Sequence, residues 1–135
     1  MCMAEINYIN PSDMAAPQGY SHAISVTGNR TTLYIGGQNA VDGKGRLVGK
    51  DNLKEQTGQV LDNIEKILRD AGANIESIVK FNIYLLQGQN PQEGFLAFQS
   101  KWGYLRHSPV ITVLFVAGLG NPDWLVEIDA IAVIP

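Results

Sequence analysis

The sequence predicts an α+β fold: one mixed β-sheet with two helices packed on one of its faces. Three observations predict it. Two segments carry apolar residues at spacings of three and four, and six have strand-like composition or alternation. The two kinds occur in the order three strands, helix, strand, helix, two strands. Helices inserted in that order collect on one side of a sheet. The 135 residues show no internal repeat, low-complexity tract or domain linker, which predicts a single domain over 1–135. A chain of this size hides roughly 65–70% of its unfolded surface and needs no staple.

The first strand candidates are Glu5–Ile9, Ser21–Val26 and Thr31–Ile35, the last two linked through the turn pair Gly28-Asn29. Asp42-Gly43 marks a hairpin tip or exposed loop. Asn52 then caps a helix, with Glu55 placed for a capping box and Gly72 as the stop. Its inner stripe is Leu53, Thr57, Val60, Leu61, Ile64, Ile67, Leu68 and Ala71. Lys54, Gln59, Asp62, Glu65, Lys66 and Arg69 read as a solvated outer face. Ser77–Leu86 is a strand with Val79, Phe81, Ile83 and Leu85 on one side and Lys80, Asn82, Tyr84 and Leu86 on the other. Asn90 caps the second helix, Pro91 opens it, and Glu93 is placed for another capping box. Phe95, Phe98 and Trp102 form its expected inner stripe and Gly103 ends it. Val110–Ala117 and Leu125–Ile134 are long apolar strands joined by a turn-rich loop. Both faces of these last strands are apolar, and one chain has no third layer to cover the second face. That predicts oligomerisation through the open sheet face.

Charged residues make up only 17% of the chain, against about 25% in an ordinary soluble domain. That deficit also suggests a surface covered by another subunit. Thirteen acids against ten bases, with no basic cluster, speak against nucleic acid as a partner. The single cysteine, Cys2, excludes an internal disulfide, points to a reducing compartment and reads as an exposed terminal residue. No signal-peptide pattern and no run of about 20 apolar residues is present, so a cytoplasmic protein without a membrane partner is expected.

No His/Cys/Asp/Glu set has metal-ligand spacing. His22 and His107 stand alone, and Ser21 beside His22 is no triad, because neighbours on a strand face opposite ways. The best intrinsic signal is a pair of acids, Glu127 and Asp129, inside the otherwise apolar final strand. Positions i and i+2 share a face, roughly 6.6 Å apart at a rise of about 3.3 Å per residue. A buried carboxylate without a partner has a raised pKa, which suits proton transfer near neutrality. The structural alternative pairs one of the acids with Lys80, Arg106 or a backbone amide.

Five segments, taken together and in order, resemble one family. They are "GYSHA" (19–23), "YIGGQ" (34–38), "EQTGQVLDNIEKILRDAGA" (55–73), "IVKFNIYL" (78–85) and "VEIDAIA" (126–132). The chain is similar to the RidA family, also called YjgF/YER057c/UK114, over nearly its whole length. The resemblance implies a chorismate-mutase-like fold and a homotrimer around a central β-barrel, with three small-molecule clefts between subunits. It also implies cofactor-free hydrolysis of enamines and imines to 2-oxo acids and ammonia. In the best-studied members an arginine at the start of the penultimate strand grips the substrate carboxylate with its two-pronged guanidinium. Here Ile111 stands at that place, Val113 replaces a cysteine two positions on, and Gly36, followed by Gly37, replaces a serine. Phe95 corresponds to a cleft asparagine. Tyr20 on the cleft wall and Glu127, whose counterpart positions the attacking water, are retained, and Arg106 is a candidate substitute cation.

The resemblance leaves two readings. One is a hydrolase acting on an imine or related electrophile through Glu127, with deamination of amino-acid-derived imines doubtful because of Ile111. The other is a non-catalytic or regulatory trimer that binds a small metabolite. A third, endoribonuclease or translation inhibitor, is disfavoured by the acidic balance.

Overall fold

The computed structural model describes residues 5–103 and 105–134; Cys2 lies outside them. Six strands and two helices follow the order expected: β1 (Glu5–Ile9), β2 (Ala23–Thr27), β3 (Thr31–Gln38), α1 (Leu53–Asp70), β4 (Ile78–Leu86), α2 (Pro91–Trp102), β5 (Val110–Val116) and β6 (Val126–Ile134). They do not form a single sheet. β3-β6-β4-β5 is the four-stranded mixed sheet, with β4 and β5 parallel, while β1 and β2 form an antiparallel ribbon of their own. β2 begins at Ala23 rather than Ser21. Ser21 N donates to Pro109 O at 2.9 Å and its Oγ to Ser108 O at 2.6 Å, which draws it out of the β1 ladder.

Helix α1 follows from its sequence. Asn52 Oδ1 accepts from Glu55 N at 3.0 Å, and Gly72 has the positive φ of 76° that favours glycine beyond a helix end. Leu53, Val60, Leu61, Ile64 and Leu68 are buried against the sheet. The capping boxes expected at α1 and α2 are replaced by single-sided caps. Asn52 N is taken by Gly49 O, and Asn90 Oδ1 accepts from Gln92 N at 3.0 Å. The reciprocal box forms instead at the 3-10 turn Ile75–Ser77, through Asn74 and Ser77.

Three expectations about facing change. Gln56, a polar residue outside the expected stripe, is fully buried. Its amide donates to Gly49 O and Asp123 O at 3.1 and 3.0 Å and accepts from Leu125 N at 2.9 Å, so every polar atom is satisfied and α1 is tied to the start of β6. On the "solvated" face, Glu65 accepts from Trp102 Nε1 at 2.9 Å and, with Asp62, pairs with Lys101. These contacts clasp α2 onto α1. The Trp102 and Lys101 donors hold the Glu65 carboxyl below its ordinary value, and Asp62 raises that of Lys101. In β4 the register against β6 slips between Ile78 and Lys80, a bulge at Val79. Ile78 therefore enters the core in place of Val79, and the expected alternation resumes from Lys80.

The core centres on Phe81. Phe98 meets it edge-on at 5.5 Å and Trp102 stacks on it at 6.1 Å, closing α2 over β4.

Candidate functional site

Residues directly opposed across neighbouring strands share a face of the sheet. Ile111, Phe81 and Ala130 are opposed across β5, β4 and β6, and Phe81 and Ala130 are buried under the helices. Ile111 and Val113 therefore face the helix side. Leu114, Tyr84 and Glu127 are opposed one step on, so Glu127 and Asp129 face the open side.

On the helix side, α2 does not reach over β5. The uncovered space is a cavity of about 480 Å³. Ile111, Val113 and Ile83 form one wall, Phe95 and Phe98 the other, and the loop carrying Tyr20 crosses one side. Ser21, pinned to Ser108 and Pro109, fixes that loop beside β5. Phe95 was expected in the inner stripe of α2. Phe98 and Trp102 fill the space over Phe81, and Phe95 stands beyond them, 50% exposed on the cavity wall. Among the described residues, no charged side chain lines this cavity.

Arg106 does not enter it. It is exposed, its backbone N donates to Glu76 Oε1 at 3.1 Å, and its neighbour His107 stacks on Tyr8 at 4.9 Å. Burial, then the Glu76 carboxylate, raises the pKa of Tyr8. His22 meets Ala15 O through Nε2 at 2.9 Å and the ring of Tyr20 edge-on. Neither histidine lines the cavity.

The open face treats the two acids differently. Asp129 Oδ1 accepts from Asn82 Nδ2 at 2.8 Å and Oδ2 from Tyr84 OH at 3.0 Å. That hydrogen bond, ahead of burial and charge, raises the pKa of Tyr84. Asp129 is thus held by cross-strand neighbours, and neither Lys80 nor Arg106 is its partner. Glu127 Oε1 accepts from Asn39 Nδ2 at 3.2 Å, and the same amide donates to Val126 O at 3.3 Å. Its other oxygen, Oε2, lies over Gly37: a Cβ built there would be 2.5 Å away. Gly36, by contrast, faces open space. Both glycines sit where β3 slips register against β6, between Ile35 and Gln38. Within the chain, β6 and β4 separate β3 and these glycines from β5 and its cavity.

Within one protomer the expected set is therefore divided. Tyr20, Phe95, Ile111 and Val113 share the cavity, whereas Glu127, Gly36 and Gly37 belong to the other side. Sequence reasoning missed Asn39, which lies 88 positions from the carboxylate it holds. The double glycine was a readable sign that something approaches the strand closely. Among the described residues no group of three or more His, Cys, Asp or Glu is placed to hold a metal ion. Nor is any helix of the described residues long and apolar enough to cross a membrane.

A small α+β chain with this sheet order and a cavity beside β5 defines a recognisable class. The family model described as Endoribonuclease L-PSP matches residues 11–134. A RutC family protein from Synechocystis is 33% identical over 129 residues, covering 94% of this chain and 95% of its own length. A crystal structure of a Rid-family protein of unknown function from Yersinia pestis superposes with a TM-score of 0.82 at 35% identity, covering 94% of this chain and 97% of that one. RidA from an Antarctic Psychrobacter gives 0.68 at 31% identity, covering 89% and 92%. The chain belongs to the RidA (YjgF/YER057c/UK114) family.

Proposed function

We propose that this protein is a binding protein for a small, uncharged metabolite, held in apolar clefts that neighbouring subunits of a cytoplasmic homotrimer complete, and that it does not deaminate amino-acid-derived imines. The observation that carries this is the wall of the cavity beside β5, where Ile111 stands among mostly apolar side chains and, among the described residues, no charged one. A carboxylate moved there gives up its water and finds no cation, a penalty of several kcal/mol. The exposed apolar residues Val113, Leu114 and Phe115 on β5 support coverage by a second subunit. The role needs no cofactor and no nucleic acid, and the net charge of -3 does not favour a polyanion.

A second reading keeps a hydrolase. It is favoured by Glu127, whose carboxylate is gripped on one oxygen by Asn39 while the other lies over Gly37. A carboxylate so held is suited to orient water. It faces away from the cavity of its own protomer, so in this reading it serves an electrophile reached through the assembly. Either way, a coupled assay that generates 2-iminopropanoate in situ should show hydrolysis no faster than the uncatalysed background. Turnover comparable to that of an arginine-bearing relative would overturn the proposal. Turnover confined to uncharged imines would favour the hydrolase.

A further inference from the structure

We infer that the cleft is bipartite, that Ile111 divides it, and that its ligand is a neutral amphipathic molecule: a branched or aromatic hydrocarbon body in the larger chamber and an uncharged hydrogen-bonding end, such as an amide, alcohol or imine, in the smaller. This rests on the reading of the cavity as a binding site and goes beyond it by specifying the two ends of the ligand.

The cavity of about 480 Å³ has a neighbour of about 210 Å³ on the other side of Ile111. Five residues line both: Gln18, Gly19, Phe95, Phe98 and Ile111. The chambers therefore adjoin at a waist with Ile111 from β5 on one side and the two phenylalanines of α2 on the other. Small-molecule sites occupy roughly 300–1,000 Å³. The larger chamber falls within that range and the smaller falls below it, so the smaller serves as an annex of the first.

Their walls differ in chemistry. Away from the waist the larger chamber is mostly hydrocarbon, from residues such as Ile83, Val113 and Ile128, with Tyr20, Thr57 and Gln92 as its polar members. The smaller adds Gln99 from α2 and Ser108 from the loop before β5. Both groups are uncharged, and no charged side chain lines either chamber among the described residues. An apolar body rests mostly against hydrocarbon on the first side, and a neutral polar end finds Gln99 and Ser108 on the second. A charged end finds no counter-ion on either side.

The test uses the full chain and a homologous set of probes: benzamide, phenylacetamide, 3-phenylpropanamide and 4-phenylbutanamide, with 3-phenylpropanoate as the charged counterpart, titrated calorimetrically. Affinity should pass through a maximum along the amide series, where the ring fills the larger chamber as the amide reaches Gln99. The carboxylate should bind at least about tenfold more weakly than its amide. Ile111→Ala should move the maximum to a longer or bulkier amide. Gln99→Leu, on the half-buried outer part of α2, should narrow the preference for 3-phenylpropanamide over n-butylbenzene by about tenfold. It also keeps the test decisive where the Ile111 variant fails to fold. If no probe binds, the cleft reading itself fails and this inference falls with it. Binding that is flat along the series and indifferent to both substitutions overturns the bipartite site while leaving the cleft reading standing. A carboxylate bound as tightly as its amide overturns the neutral ligand class.

Discussion

The two faces of the four-stranded sheet are built on opposite terms. On the helix side, Phe81, Ile128 and Ala130 are buried in hydrocarbon, and where α2 falls short of β5 the same hydrocarbon continues as the wall of a cavity. On the open side, β6 sets out Glu127 and Asp129 two residues apart and β4 supplies Asn82 and Tyr84 opposite them. One strand thus lines the cavity with its even positions and carries polar contacts with its odd ones. Within the chain the cavity and the Glu127 carboxylate therefore lie on opposite sides of the sheet.

Perturbing the helix side should cost the most. Phe81→Ala removes a fully buried ring from under Phe98 and Trp102, and chemical denaturation should show a loss of about 3–5 kcal/mol. On the open side, Asp129→Ala leaves the partly exposed Asn82 and Tyr84 without their acceptor and should cost less than Phe81→Ala. It should also bring the Tyr84 hydroxyl back toward an ordinary tyrosine titration, readable by ultraviolet absorbance, because the raising hydrogen bond is gone. An Asp129 variant that cost more than Phe81→Ala would reverse the assignment of stability to the helix side.

Smaller effects sharpen the contrast. Trp102→Phe keeps the packing on Phe81 but removes the donor to Glu65, for a loss of about 1 kcal/mol. The Glu65 carboxyl titrates below its ordinary value of 4.5 in the folded chain. Its contribution is therefore complete above that value and disappears as pH falls through the lower folded value. The stability gap between wild type and Trp102→Phe should close over that acidic window. A gap independent of pH there would remove Glu65 from the clasp. The smallest stability effect belongs to Gly37→Ala, under about 1 kcal/mol, because the Glu127 carboxylate it strikes can swing away. A crystal structure should nevertheless show Glu127 parted from Asn39. Gly36→Ala, facing open space, should leave Glu127 in place and stability within about 0.5 kcal/mol.

Local signals made α1 legible: a cap at Asn52, a periodic stripe and a positive-φ glycine at 72. What escaped the sequence was tertiary. Gln56 is polar, and only three backbone partners brought together by folding make its burial tolerable. The bulge at Val79 shifts the side-chain alternation by one without any glycine or proline to announce it. Asp62 and Glu65 read as solvent-facing until α2 brings Lys101 and Trp102 across. Tyr20, Phe95, Ile111 and Val113, singled out through the family resemblance, line one cavity. The isolation of Glu127 from them was readable too, from the parity of two strands, but needed the register between β4, β5 and β6.

Among the described residues, no charged side chain lines the cavity beside β5, and Ile111 stands on the wall where an arginine would make a cationic site. Titrating wild type and Ile111→Arg with 2-oxobutanoate, a small carboxylate, tests it most directly. Wild type should show no saturable binding at millimolar concentration, and the arginine variant should gain at least about tenfold in affinity. Binding by wild type as tight as that of Ile111→Arg would contradict the account.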